Sequence, residues 1–206
     1  DSLRCNMSSE KKGLRMPVQD IYRFTEEGDD RRIIAGRIES GELKAGDVVV
    51  FLPSGKRSCI KSIESFPEMK ITKVKPGSCT GVVLSEQIFV NRGEVICKED
   101  NTKINVSSMF RCKLFWMSKN PLKRDKEYML KCGTAKVTAK LKKIKNVLDV
   151  SSMKRSKKDH LERYEIADCI LECVNPIAFD LIENDEPLAR FVMVDDHVIS
   201  GGGIIT

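Results

Sequence analysis

Residues 33–51 read IIAGRIESGELKAGDVVVF, and this stretch decides the fold. Ile33-Ile34 and Val48-Val49-Val50-Phe51 are β-branched and aromatic runs, the residue types that fit a pleated, half-buried surface. Between them, Ser40-Gly41 and Ala45-Gly46-Asp47 give two turn signals, with Leu43 set in the middle. Glycine takes the positive φ that tight turns demand, and Leu43 can anchor the link in a core. The stretch therefore specifies shape, not chemistry.

The same grammar runs outward in both directions. Short strands are expected at 18–24, 33–39, 48–52, 58–63, 81–84 and 94–97, separated by turn residues at 27–30, 40–41, 45–47, 53–55, 75–77 and 91–93. In the second half, Ala135, Val137, Ala139 and Leu141 share one face while Lys136, Thr138, Lys140 and Lys142 share the other, which describes a half-buried strand. Phe110, Cys112, Leu114 and Trp116 repeat that pattern with Arg111 and Lys113 opposite. Ala167, Cys169, Leu171 and Cys173 alternate with Asp168, Ile170, Glu172 and Val174, so both faces are expected to be mostly apolar. Residues 188–194 form a further strand, and 154–163 read as a charged loop with a turn of helix. Strands at this spacing with glycine turns indicate an all-β chain of antiparallel barrels or sandwiches, not parallel βαβ units. The polar break at 98–103 divides it. Residues 1–14 are expected to be a lead-in, 15–100 a first β domain and 101–206 a second, each long enough for one closed barrel.

Composition narrows the function. The 206 residues are 41% apolar and 32% charged with a net charge of +6, short of the strongly basic footprint of a dedicated nucleic-acid binder. No apolar run nears the roughly 20 residues that span a bilayer, and no signal peptide opens the chain. Eight cysteines are scattered without a Cys-x-x-Cys, and only two histidines, His160 and His197, are present. Most of the cysteines sit in strand-like runs, where they read as reduced, buried thiols of a cytoplasmic protein. Asn6-Met7-Ser8 and Asn105-Val106-Ser107 match the glycosylation pattern, which has no role without a secretory context. The chain begins at Asp1, not Met, and its opening reads as part of a longer protein.

The motifs that imitate active sites do not carry through. Pro53-Ser54-Gly55-Lys56 resembles the tail of a phosphate loop, but Val50 stands where the first glycine belongs and Arg57 where Ser or Thr belongs, so a hairpin turn is expected. Gly201-Gly202-Gly203 is expected to permit a backbone bend before a final strand. His160 reads as a surface histidine, and His197 beside Asp195-Asp196 does not define a metal site. Cys169 and Cys173 lie about 13 Å apart along a strand, too far for one tetrahedral ion. Catalytic, cofactor-binding and metal residues are accordingly expected to be none. Lys136, Lys140, Lys142, Lys143 and Lys145 line the solvent side of one hairpin, and Lys154, Arg155, Lys157 and Lys158 form a second cluster. A solvated face that discourages edge pairing is the first reading and a surface for nucleic acid or an acidic partner is the second.

The run Ala35-Gly36-Arg37-Ile38-Glu39-Ser40-Gly41-Glu42-Leu43-Lys44-Ala45-Gly46-Asp47 resembles the barrel that follows the GTPase domain in the elongation factor Tu-like superfamily. Similar signals return at 74–77 and at Val90-Asn91-Arg92-Gly93-Glu94-Val95, in that superfamily's order. Met16-Pro17-Val18-Gln19-Asp20-Ile21-Tyr22-Arg23-Phe24 and Asp30-Arg31-Arg32-Ile33-Ile34 narrow the resemblance to the large, GTPase subunits of sulfate adenylyltransferase, including forms fused to adenylylsulfate kinase. The likeness is strongest over 16–66; after 100 it is looser, carried by Pro187-Leu188-Ala189-Arg190-Phe191 and the closing Gly-Ile-Ile.

That resemblance implies two consecutive antiparallel β-barrels of the elongation factor Tu second- and third-domain type. It implies a parent that makes adenylyl sulfate from ATP and sulfate, with GTP hydrolysis driving the transfer. GTP and its Mg would sit in a GTPase domain preceding Asp1, and a separate small subunit would transfer the adenylyl group. The barrels would then be non-catalytic, packed on their own GTPase domain and on that small subunit, with no membrane partner. Arg31, Arg32, Arg37 and Glu39 are the candidate interdomain or partner contact, with surface solvation as the plain alternative. A tRNA-holding barrel pair of a translation-type factor is the second reading of function.

Overall fold

The computed structural model describes residues 12–23, 31–64, 71–99, 104–184 and 187–206. Cys5, Asn6, Phe24, the acidic turn at 27–30 and most of the polar break, 100–103, lie outside these residues. The chain divides into two compact units, Asp1–Lys103 and Ile104–Thr206. The described residues form no α-helix, and none of their helices is long and apolar enough to cross a membrane.

The first unit holds β1 (Met16–Arg23), β2 (Arg32–Arg37), β3 (Leu43–Lys44), β4 (Val48–Leu52), β5 (Lys56–Glu64), β6 (Lys73–Val74), β7 (Cys79–Leu84) and β8 (Val95–Lys98). Six of them close a barrel in the order β1-β2-β7-β5-β4-β8, with β8 pairing back onto β1 through Met16↔Ile96 and Pro17↔Val95. Strand alternation drives Met16, Val18, Ile34, Val49, Phe51, Ile60, Val82 and Ile96 inward to one core. β3 and β6 form a separate two-stranded ribbon that delivers Leu43 and Val74 to the same core.

The link at 38–47 behaves as its residues require. The Ser40 hydroxyl donates to the Gly13 carbonyl at 2.7 Å, and Gly41 follows at φ +68°. A Cβ on Gly41 would lie 2.6 Å from the Leu14 backbone nitrogen, so a side chain is barred by both conformation and space. Gly46, at φ +90°, donates its amide to the Ile60 carbonyl at 2.8 Å. Asp47 then accepts from the Lys44 amide at 2.8 Å and pairs with Lys98 at 2.9 Å. Pro53-Ser54-Gly55 is the β4–β5 hairpin turn, not a phosphate loop.

The second unit holds β9 (Asn105–Trp116), β10 (Glu127–Cys132), β11 (Ala135–Asp149), β12 (Arg155–Ser156), β13 (Glu165–Phe179), β14 (Arg190–Asp195) and β15 (Val198–Ile205). The order β10-β14-β15-β9-β13-β11 closes through β10–β11 pairing, and β12 lies along the end of β11. Its core is built on Trp116, Phe110, Phe179 and Phe191 with Leu114, Leu130, Leu141 and Leu171. Trp116 and Tyr128 meet edge to face at 5.6 Å, as do Phe110 and Phe191 at 6.0 Å. The described residues are all-β and form two antiparallel barrels, the architecture that the resemblance implies.

Several expectations are corrected here. β11 runs on to Asp149 because a bulge between Leu141 and Lys143 exposes both Lys142 and Lys143, which breaks the alternation that ended the reading at 142. Over residues 165–174 only one face of β13 is buried: Val174 is exposed, and Asp168 and Glu172 pair with Lys113 and Lys142 across neighbouring strands. Residues 154–163 contain no helix. Leu161 is drawn into the core and exchanges two backbone bonds with Leu122, at 2.8 and 3.2 Å, which leaves only β12 and turns around it. Pro187–Ala189 is a turn of 3-10 helix, so the strand expected from 188 starts at Arg190. β10 had no separate reading, although Tyr128, Leu130 and Cys132 alternate inward.

Gly201-Gly202-Gly203 does not bend the chain; it lies inside β15. A Cβ on Gly201 would stand 2.7 Å from Trp116 Cε3, and one on Gly203 would stand 2.5 Å from Phe191 Cζ and 2.6 Å from the Lys113 carbonyl oxygen. The missing side chains make room for two core rings. We expect Gly203→Ala to destabilise the chain by about 2 kcal/mol through overpacking. Gly202→Ala, whose Cβ would meet only the Phe191 carbonyl at 3.6 Å, should be close to neutral. Thermal unfolding of the two variants side by side checks this; equal melting temperatures would overturn it.

The β3–β6 ribbon supplies a pH prediction. Hydrogen bonds from Lys73 and then Lys44 hold the Glu42 carboxyl down from an ordinary 4.5 to about 2. A carboxylate depressed in the folded state stabilises above its unfolded pKa and loses that contribution as pH falls through the folded one. The stability gap between the natural chain and Glu42→Gln should therefore be full at pH 6 and close as pH drops from 4.5 toward 2. Urea midpoints measured across that range check it.

Candidate functional site

The four residues singled out in the sequence fall at the two ends of one strand. Arg32 opens β2 and pairs in register with Arg23 of β1; its guanidinium lies 5.0 Å over the ring of Phe89, which is 73% exposed. Arg31 precedes it and approaches the Glu64 carboxylate at 3.5 Å. Both arginines line a small cavity of about 140 Å³, walled by Ile21, Ile34, Leu84, Ile88 and Val90. Arg37 closes β2 opposite Cys79, and the Glu39 amide donates to the Arg15 carbonyl at 2.8 Å. At about 3.3 Å per residue, Arg37 lies roughly 16 Å from Arg32. The fold groups Arg31 with Arg32 and sets Arg37 and Glu39 apart from them.

A second surface, on the second barrel, had no signal in the sequence reading. Three backbone bonds fasten the strand ends at one rim. The Met117 amide donates to Ser200 at 2.8 Å, the Tyr164 amide to Trp116 at 2.8 Å, and the Val150 amide to Tyr164 at 3.1 Å. Along this arc Val198, Ile199, Met117, Tyr164, Val150 and Met153 are all exposed, Val198 by 65% and Ile199 by 57%. Met153 and Tyr164 hold positive φ values of 54° and 67°, a costly backbone state for residues with side chains. Asp195, only 8% exposed, anchors the hairpin behind Val198 through Lys126 at 2.6 Å. An apolar arc on a braced rim is a docking surface in form. The available clue was Val198-Ile199, two large apolar residues placed straight after the turn residues Asp196-His197.

Elsewhere the chemistry is quiet. Among the described residues, no group of three His, Cys, Asp or Glu side chains is placed to hold a metal ion. Burial pushes the thiols of Cys132 and Cys169 up to about 12 and that of Cys173 to about 11, and raises Cys112 as well. They stay protonated near neutrality and pack as small hydrophobes. His160 lines an open cleft of about 700 Å³ with Lys123, Arg124 and Lys142, its Nδ1 2.9 Å from Asp159. The cations there are largely met: Lys142 by Glu172 at 2.9 Å, Lys140 by Glu127 at 3.0 Å. His197 sits exposed in the β14–β15 turn at φ 66°.

Against this geometry the comparisons are specific. Residues 109–206 match the family described as GTP-eEF1A C-terminal domain-like. The crystal structure of sup35 complexed with GMPPNP superposes with a TM-score of 0.85, covering all of this chain and 50% of that one, at 18% identity. The fold of two consecutive antiparallel barrels is shared with that structure. Among curated relatives of this barrel pair, sulfate adenylyltransferase subunit 1 of Francisella tularensis (strain SCHU S4) is 32% identical over 93% of the chain. The bifunctional enzyme NodQ of Rhizobium tropici is 28% identical over the whole of it. The chain spans 40% and 32% of the length of those two relatives.

The burial of the thiols yields a direct prediction. In the native barrel pair, a thiol reagent at pH 8 should label the exposed Cys79 rapidly, whereas Cys112, Cys132 and Cys169 should react only as fast as the second barrel opens. Peptide mapping of a labelling time course checks it, and early label on Cys132 would overturn it.

Proposed function

We propose that these barrels are the non-catalytic body of the GTP-hydrolysing subunit of a sulfate adenylyltransferase, working in the cytoplasm. Their task is to relay the state of a GTPase domain to the subunit that transfers the adenylyl group. The observation that carries this reading is the exposed arc of Met117, Val150, Met153, Tyr164, Val198 and Ile199 on a hydrogen-bonded rim. Exposed apolar side chains gathered on one rim mark an interaction site. The relatives supply a reason to name the cover: they are subunits of a sulfate adenylyltransferase, and well over half of their length lies beyond the part matched here. A GTPase domain carrying GTP and Mg is the occupant we assign to the arc. A rigid closed barrel suits such a relay, because nucleotide state then shifts interfaces as units and does not deform the barrel.

The second reading is a tRNA-holding pair, and we rank it below the first. Two lysines of its lysine-rich strand are paired with carboxylates, Lys140 with Glu127 and Lys142 with Glu172. Phosphate contacts require cations free to release counterions.

The test is adenylyl sulfate formation from ATP and sulfate by the native assembly, with and without GTP. Ile199→Asp should lose most of the GTP stimulation, while the melting temperature of the barrel pair stays within a few degrees, since the side chain is exposed. The chain 1–206 alone should show no micromolar GTP binding by calorimetry. Unchanged GTP stimulation in Ile199→Asp, or GTP bound by the barrels themselves, would overturn the proposal.

A further inference from the structure

The outer wall of the second barrel carries a band of cations that its own carboxylates do not match. Strand register sets Arg111 of β9 and Lys143 of β11 on either side of Ile170 of β13. In the next outward row Lys113 and Lys145 stand on either side of Asp168. The two rows thus hold four cations and one carboxylate, and that carboxylate is already engaged: Lys113 and Asn146 both donate to Asp168 at 2.8 Å. The next carboxylate along the wall, Glu172, is held by Lys142 at 2.9 Å. Among the described residues Arg111, Lys143 and Lys145 make no ion pair, and all three are exposed. With Asp168, Ile170 and Thr206 they line an open groove of about 350 Å³.

The shape of the band restricts what can lie along it. β9 and β11 flank β13 at about 4.8 Å each, so the two files of cations run about 10 Å apart, the width of one extended chain. Within a file, outward residues repeat every ~6.6 Å, which is also the repeat of alternate side chains on an extended peptide. Beyond Arg111 the β9 file continues to Met109, 45% exposed, and Val174 of β13 adds a second apolar side chain, 68% exposed. We propose that this groove docks an extended acidic segment of a partner protein, with alternate carboxylates on Arg111, Lys143 and Lys145 and an apolar side chain on Met109. A nucleic-acid strand fits less well. Among the described residues no aromatic ring lines the groove for a base to stack on, and the apolar end offers a phosphate nothing. The groove shares no residue with the apolar rim assigned to a GTPase domain, so the inference goes beyond the sulfate-activation reading and does not rest on it.

The experiment uses the full chain and a fluorescein-labelled peptide, Gly-Leu-Ser-Glu-Ser-Glu-Ser-Glu-Gly, followed by anisotropy at low salt. Lys143→Glu should weaken binding about tenfold and flatten its salt dependence, because a like charge then faces the peptide. Lys136→Glu makes the same change of net charge on the same strand, roughly 20 Å away at about 3.3 Å per residue, and should leave affinity within about twofold. Replacing the peptide's Leu by Ser should cost about threefold, since a side chain laid on an open wall is only partly buried. Lys145→Glu, also at an exposed position, repeats the test should Lys143→Glu lower the melting temperature. No measurable binding, equal losses in Lys136→Glu and Lys143→Glu, equal affinity for the Leu and Ser peptides, or tighter binding of a labelled oligothymidine of the same length would each overturn the proposal. Failure here leaves the GTP-stimulation test of the sulfate reading untouched, so the two can fail separately.

Discussion

Ring closure is the constraint on which the rest depends. In the first unit β8 returns to β1, and in the second β10 meets β11, so no long strand is left as an open edge. A closed ring has one inside. Every second residue of each strand must then fill a fixed volume, and every other residue must face water or a partner. That division explains the aromatic core of the second barrel and the glycines of β15 against Trp116 and Phe191.

Function is thereby pushed to the rims. Loops that cross a barrel end either plug it or present side chains outward, and both happen here. Leu122 and Leu161 plug the second barrel by pairing with each other, while the adjoining strand ends turn Val198, Ile199, Tyr164 and Met153 toward solvent. On the first barrel, arginines and a lysine ring an apolar hole that the 85–90 segment leaves open. Neither surface has the converging reactive groups of an active site, and both have the form of contacts.

Much of the fold was legible because alternation is a local property. The 48–52 strand appears with the bounds its residues announce, and the positive φ of Gly41 and Gly46 follows from the turn chemistry around them. Legibility failed where a distant partner overrode the local pattern. The bulge after Leu141 depends on pairing with β13, and β13 continues past Pro176 only because β9 resumes pairing at Ser107. The charged 154–163 segment looked irregular since a single residue, Leu161, draws it in toward Leu122. For the sites, charge at Arg31 and Arg32 was visible, but the shared cavity was not, and the apolar arc was invisible because its six residues come from four separate stretches of chain.

What the residues determined unaided was the class of structure: strands, tight turns and two antiparallel β domains, all consequences of spacing along the chain. Which exposed side chains become neighbours was decided only by tertiary closure. Sequence order separates Met117 from Tyr164 and Val198, and Arg111 from Lys143. Strand register places each set on one surface because backbone pairing, not chain distance, sets which residues stand side by side.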